Sequence, residues 1–390
     1  MKAMPAAAPS TALQPVPLLD FSREFAEIRD ETMAAIEAVC ASQRFILGPQ
    51  VAEFEAAAAQ ACGVAHAIGC ASGTDALWLA LAALDLGSAA TVITTPFSFF
   101  ASVSAILRAG SRPVLADIDP RTFNLSPESV REVLKRQASV AAILPVHLFG
   151  QCAEMSAFQA LAAEHGCKLV EDAAQAFGAT WAGVRAGGLG DIAAFSFYPT
   201  KNLAAFGDAG MVTTRNAALA ERTTMLRAHG MRKRYYHDEV GWNCRLDSLQ
   251  AAVLQVKLRY VQAGNARRGE LACLYHRLFT EAGLTGATAA EGIVLPYTDP
   301  RAGHVFHQYV IRAPRRDELR AHLSALGIGS EVYYPLPLHL QQSLRQLGYK
   351  AGDFPHAEQA AAEVLALPIY PHLRDDEAET VVEAIRRFYR

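Results

Sequence analysis

The sequence predicts an α/β protein with a mostly parallel sheet, followed by a second, smaller α/β unit on the same chain. Three observations carry that expectation. Short apolar runs of strand length alternate with helical stretches along the first part of the chain. After Asn216 the pattern shifts to longer helices separated by isolated strand-like runs. The 390 residues, 51 % hydrophobic and 19 % charged, supply apolar material for a large core and for more than one domain.

In chain order, residues 1–15 are rich in Ala and Pro, lack a continuous apolar run, and read as a disordered tail and not a signal peptide. From Phe21 to Ala41 apolar residues recur at helical spacing (Phe25, Ile28, Met33, Ile36, Val39). Ser42 to Gly48 is a break, and Val51 to Cys62 an alanine-rich helix. Ala65 to Gly69 is a short strand that runs into Ala71-Ser72-Gly73-Thr74-Asp75-Ala76-Leu77 and an apolar helix through Leu86. Strands are expected at Thr91 to Thr94 and Arg112 to Asp117, with a helix from Ser98 to Ala109 between them. A helix from Glu128 to Gln137, a buried strand from Ala141 to Val146 and a helix from Met155 to His165 follow. Lys168 to Glu171 is a strand ending at Asp172, and Ile192 to Phe197 another strand-like run. Ala217 to Ala228 is helical, Arg232 to Asn243 is a basic, aromatic connector, and one long helix runs from Leu246 towards Arg268. Beyond it, His307 to Ile311 and Glu331 to Tyr334 look like strands. Helices are expected at Asp317 to Leu326, His356 to Leu365 and Asp375 to Phe388.

The formal net charge of -3 gives no general pull towards nucleic acid or an anionic membrane, so neither is an expected partner. No stretch approaches an uninterrupted transmembrane span. Seven scattered cysteines with no C-x-x-C pair argue against a zinc site or a disulfide framework, and for a reducing, cytoplasmic setting.

Chemistry gathers in a few places. Lys201, in Ser196-Phe197-Tyr198-Pro199-Thr200-Lys201-Asn202-Leu203, follows an apolar strand and precedes Gly207-Asp208-Ala209-Gly210. Desolvation there lowers the pKa of an amine and makes it a nucleophile, as a Schiff-base lysine requires, although lysines in such loops also simply face solvent. Ser72-Gly73-Thr74-Asp75 turns from strand to helix, where free N–H groups can bind a phosphate or Ser72 can act as an ordinary N-cap. Asp172 stands at a strand end, where a carboxylate can keep a heterocyclic nitrogen protonated or cap the next segment. Phe97, Phe99 and Phe100 offer a face for a planar ring, or core packing. His147 and His339 are candidates for a proton shuttle or substrate contact, or structural histidines. The basic run Arg227 to Arg234 can hold a diphosphate or form a solvated surface. Gly187-Gly188-Leu189-Gly190 lacks the order of a dinucleotide loop and reads as a turn, which counts against a nicotinamide oxidoreductase.

Together these motifs resemble the DegT/DnrJ/EryC1/StrS sugar aminotransferases from about Val16 to the C-terminus. The most specific pieces are Ala71 to Leu77, Val170-Glu171-Asp172-Ala173-Ala174-Gln175-Ala176 and Ser196 to Asn202. Gly241-Trp242-Asn243-Cys244-Arg245-Leu246-Asp247 and Tyr333-Tyr334-Pro335-Leu336-Pro337-Leu338-His339 complete the set. The resemblance implies the fold type I, aspartate aminotransferase-like architecture of pyridoxal phosphate enzymes. It divides the chain into a large cofactor-binding domain, 16–265, and a small C-terminal domain, 266–390.

By the same resemblance Lys201 would form the Schiff base with pyridoxal 5'-phosphate and move the proton. Asp172 would pair with the pyridine nitrogen, Gln175 contact the ring hydroxyl, and Phe99 stack on the ring. The backbone at Thr74 and Asp75 and the hydroxyl of Ser196 would bind the phosphate. Asn243 would reach the phosphate in the neighbouring subunit of a homodimer. Tyr198, Arg245 and His339 would face the substrate. The implied reaction moves an amino group from L-glutamate to a keto group of a nucleotide-linked sugar. Tyr198, where relatives acting at C4 often carry histidine, points to C3. Alternatives are a C4 sugar, a keto-inositol, or a non-catalytic regulatory protein that keeps the fold. Lys201 itself counts against the related dehydratases, which have histidine there. Ala204, where relatives commonly show glycine, implies a small local packing change.

Overall fold

The computed structural model describes residues 13–87 and 89–390, and all statements of structure refer to these. Residues 1–12 of the expected tail lie outside them. Leu13 to Pro15 have no regular structure, and Val16 is buried in a bridge to Ile328.

Helices α1 (Phe21–Ser42) and α2 (Pro49–Cys62) lead into β1 (His66–Cys70) and α3 (Gly73–Leu84). Asp20 caps α1 by accepting from Ser22 N, and proline opens α2, where its missing N–H costs nothing. Next come β2 (Thr91–Thr94), α4 (Ala101–Arg108), β3 (Arg112–Leu115), α5 (Pro127–Arg136), β4 (Ala142–Ile143), α6 (Met155–His165) and β5 (Lys168–Asp172). The short strands β6 (Thr180–Trp181) and β7 (Val184–Arg185) precede β8 (Ile192–Ser196), β9 (Gly210–Thr214) and α7 (Ala217–Leu226).

These strands form a seven-stranded sheet in the order β1-β9-β8-β5-β4-β2-β3. Pairings β2–β3, β2–β4, β4–β5 and β5–β8 are parallel, while β9 runs antiparallel to both β8 and β1. The expected parallel sheet is therefore present, with one reversed strand whose run of five buried residues was not singled out in the sequence. α3 is apolar almost all round because it packs on β8 and β9 with α4 and α7 beside it.

The expected connector at 232–243 contains a hairpin, β10 (Met231–Lys233) and β11 (Tyr236–His237). The expected single helix from Leu246 is two, α8 (Ser248–Leu258) and α9 (Val261–Glu281). Arg259 and Tyr260 join the two with backbone angles still in the helical region, and their side chains meet Glu31 of α1, Tyr260 Oη donating to Glu31 Oε1 at 2.6 Å and Arg259 forming an ion pair with the same carboxylate. α9 runs unbroken through the expected boundary between 265 and 266.

In the C-terminal part, β12 (Ala302–Gly303) pairs with β6, and β13 (Tyr309–Arg312) is followed by α10 (Arg316–Ala325), α11 (Pro355–Glu363), β14 (Val364–Leu367) and α12 (Asp375–Tyr389). The partner of β13 is β14, whose first two residues, Val364 and Leu365, fall within the helix expected from His356 to Leu365. Glu331 to Tyr334, expected as a strand, contributes a single bridge, Glu331 to Ala366. Val364-Leu365-Ala366-Leu367 is buried on every side and ends at Pro368, so pairing decides its state, not pattern.

Glu171 of β5 is fully buried and organises the turn beside it. Its carboxylate accepts from Gly187 N at 2.8 Å and from Leu189 N and Gly190 N at 2.7 Å each. His147 Nε2 lies 3.0 Å away, and its Nδ1 accepts from Ala153 N at 3.2 Å, so the ring carries its proton on Nε2 and donates to Glu171. The glycine turn thus holds a protein carboxylate, and both nitrogens of His147 are used. Glu171→Ala leaves four donors unsatisfied, and equilibrium urea unfolding should show a loss of about 3–5 kcal/mol. A loss under about 1 kcal/mol would mean water replaces the carboxylate freely.

Candidate active site

The parallel strands deliver their functional residues at one edge of the sheet. Ser72 follows β1, Phe99 follows β2, Asp172 ends β5, and Ser196 ends β8 with Lys201 just beyond. This carboxyl edge is where open parallel sheets bind ligands.

Asp172 is buried, with Oδ1 accepting from Ala174 N at 3.2 Å and Oδ2 from Ser102 Oγ at 2.7 Å. Burial pushes its carboxyl above the usual range, opposed by Ser102, Ala174 and the charge of Lys201. Burial pulls the Lys201 amine down from 10.5 to about 8, with Asp172 opposing. Gln175 Oε1 accepts from Phe149 N at 2.6 Å, and its Nε2 donates to Tyr334 Oη at 3.2 Å. Asn202 anchors the lysine turn: its Nδ2 donates to Asn265 Oδ1 at 2.7 Å and to Val305 O at 3.0 Å. Its Oδ1 accepts from His307 Nδ1 at 3.2 Å, and burial holds the His307 imidazole well below its ordinary range.

At the start of α3, Ser72 Oγ accepts from Asp75 N at 3.1 Å, and Ser72 O from Ala76 N at 2.9 Å. The N–H groups of Gly73 and Thr74 make no hydrogen bond among the described residues. A Cβ on Gly73 would stand 2.5 Å from Ser196 Cβ, and one on Gly210 would strike Ser72 O, so this approach requires glycine at both positions. Arg108 Nη1 pairs with Asp75 Oδ1 at 2.6 Å, which removes an acid's repulsion from a helix end suited to an anion.

The DegT/DnrJ/EryC1/StrS aminotransferase family model matches residues 26–386. The chain belongs to that family. It is similar to the pleiotropic regulatory protein of Geobacillus stearothermophilus, 46 % identical over 375 residues that cover 96 % of this chain and 99 % of the relative. It is similar to dTDP-3-amino-3,4,6-trideoxy-alpha-D-glucose transaminase of Streptomyces venezuelae, 43 % identical over 373 residues, 96 % of each chain. The S. venezuelae protein DesV, solved in complex with a ketimine intermediate, superimposes with a TM-score of 0.91 at 43 % identity, over 96 % of this chain and 99 % of that one.

Members of this family are pyridoxal-phosphate-dependent aminotransferases, and the residues present fit that cofactor. The free N–H groups of Gly73 and Thr74, beside Ser196, suit a phosphate. The buried carboxylate of Asp172 suits a protonated ring nitrogen, and the low-pKa amine of Lys201 a carbonyl carbon. Asp75 N, expected to join the phosphate site, is already the donor to Ser72 Oγ. The Phe99 ring is 60 % exposed with Tyr334 at 6.4 Å, leaving a face uncovered by protein. Tyr198, in the turn that leads to Lys201, is 52 % exposed.

Asn243 is exposed and paired by a backbone bridge to Ala228, and Arg245 bridges Cys70, so both lie by the end of β1. The Arg245 Nε is buried and has no hydrogen-bond partner among the described residues. His339 is buried, with Nε2 3.0 Å from Glu358 Oε1, its ring edge-on to Phe354, and Nδ1 without a hydrogen-bond partner among the described residues. Sequence reasoning missed Ser102, His307 and the contact of Tyr334 with Gln175. Tyr334 stood inside a quoted motif, but nothing in the sequence marks Ser102 off from other helical serines.

With its pKa near 8, Lys201 should react with formaldehyde and borohydride in the cofactor-free protein with a pH midpoint near 8, read by mass spectrometry of the modified peptide. A midpoint with the bulk of the surface lysines, above about 10, would show that burial does not lower this amine.

Proposed function

We propose that the chain transfers an amino group from L-glutamate to the C3 keto group of a nucleotide-linked sugar, in the cytoplasm and as a homodimer. The observation that carries the reading is the lowered amine of Lys201 facing the buried carboxylate of Asp172 at the carboxyl edge of the sheet. When bound, pyridoxal phosphate supplies a protonated ring that accepts the electron pair left on carbon when a neighbouring proton is removed. Lys201 Nζ takes the α-proton of the amino acid and later delivers a proton to the sugar carbon, alternating between amine and ammonium. A pKa near 8 suits both duties close to neutral pH. Asp172 holds the proton on the ring nitrogen, Gln175 meets the ring hydroxyl, and Phe99 covers the ring face. The N–H groups at Gly73 and Thr74 and the Ser196 hydroxyl hold the phosphate.

Support for C3 comes from Tyr198 and from the name of the S. venezuelae transaminase, which specifies a 3-amino product. Support for the dimer comes from apolar side chains left open around the Asn243 segment: Ile46 is 52 % exposed and Val240 78 %. Asn243 and Arg245 then serve the neighbouring subunit's site, binding phosphate and a substrate carboxylate or sugar. The regulatory name of the Geobacillus relative raises a non-catalytic reading; the retained Lys201, Asp172, Gln175 and Ser196 favour catalysis.

The deciding experiment is an absorbance spectrum of the cofactor-loaded protein before and after L-glutamate, followed by a screen of 3-keto and 4-keto nucleotide sugars. A visible band that gives way to a near-ultraviolet one is expected, and turnover should be higher on a 3-keto sugar. No visible band after adding pyridoxal phosphate would overturn the reading. Lys201→Ala should keep the fold and lose turnover by about 10³-fold or more. Mixed, refolded subunits of Lys201→Ala and Asn243→Ala should regain roughly a quarter of wild-type activity, because each mixed dimer holds one intact site. No recovery in such mixtures would place Asn243 in its own subunit's site.

A further inference from the structure

Ser98 and Ser102 are both buried and have no role in the steps above. Ser102 lies in the first turn of α4 with Oγ 2.7 Å from Asp172 Oδ2, and Ser98 Oγ is 2.9 Å from Ser102 Oγ. An ionised carboxylate only accepts, so the Ser102 hydroxyl proton points at Asp172, and Ser102 in turn accepts from Ser98. The hydrogen bonds therefore run one way, from Ser98 to Ser102 to Asp172. With Ala174 N on Oδ1, both carboxylate oxygens are tied and the group cannot rotate freely. Ser98 immediately precedes Phe99, so a single turn sets both the aromatic face and the donor line to the acid.

We propose that Ser102, backed by Ser98, is a positioning residue that holds the Asp172 carboxylate as an anion in the one orientation that serves the ring nitrogen of pyridoxal phosphate. The inference rests on the cofactor reading of the site. The other titratable groups facing Asp172 are Lys201, His147 and Tyr334. None of them donates a hydrogen bond to its carboxylate among the described residues, so Ser102 is the side-chain donor. Without the Ser102 hydroxyl, the buried carboxylate keeps one backbone donor and more readily takes a proton itself. The ring nitrogen then holds its proton less firmly and the ring carries less positive charge. The lysine nitrogen joined to the cofactor consequently keeps its own proton to higher pH.

The test follows the visible band of the cofactor-loaded wild type, Ser102→Ala and Ser98→Ala across pH, alongside thermal melting and the affinity of each cofactor-free protein for pyridoxal phosphate by equilibrium dialysis. In Ser102→Ala the midpoint of the band should rise by about one pH unit, the worth of a hydrogen bond to a charged group. Ser98→Ala should move it in the same direction by less, and it carries the test alone if Ser102→Ala does not fold. Cofactor affinity should fall severalfold in the same order. A lower melting temperature with an unchanged midpoint in both variants would make the serines structural only and overturn the inference. A wild type without any visible band would instead overturn the cofactor reading beneath it.

Discussion

Two adjacent carboxylates at the end of one strand, Glu171 and Asp172, constrain the rest of the structure. Neither anion is tolerable inside a protein without partners, and strand geometry sends the two side chains to opposite faces of the sheet. Glu171 is satisfied wholly by protein: three amides of one turn and the imidazole of His147. Asp172 has Ser102 and Ala174 and faces the amine of Lys201. One acid builds the scaffold, and the other is left with capacity for chemistry.

The glycine contacts at the start of α3 express the same division between scaffold and site. β1 and β8 are separated in the sheet by the reversed strand β9, yet the turns that leave them touch at Gly73 and Ser196. That closeness assembles a phosphate-sized cradle from segments far apart in sequence. It relies on the absence of side chains at Gly73 and Gly210, so backbone N–H groups line the cradle beside the one short hydroxyl of Ser196.

What was legible in the sequence was local. The helix Met155–His165 matched to the residue, since its apolar face ends at Gly166 in the left-handed conformation that stops helices. Strand-end motifs were legible for the same reason, because a strand, a glycine turn and a helix start are written in consecutive residues. Features decided by distant partners were not. β14 exists because β13 lies beside it. Ser102 carries no mark of its role until Asp172 is placed 70 residues away. His339 has its Nε2 on Glu358, a partner 19 residues away that its motif does not contain.

The C-terminal segment is stitched to the sheet edge by groups the sheet cannot satisfy alone. Leu115 N on the edge strand β3 donates to Tyr349 Oη at 3.0 Å, Asp117 accepts from His356 N and Ala357 N, and Leu338 N donates to Pro96 O at 2.7 Å. Gln175 reaches Tyr334 across 159 residues of chain. During synthesis the sheet emerges first, with its β3 edge open and the Asp117 carboxylate without those amides. Ordering of that edge must wait for the last-made part of the polypeptide. A nascent or prematurely terminated chain thus presents a bare strand to its neighbours, which makes completion of translation itself a safeguard against aggregation.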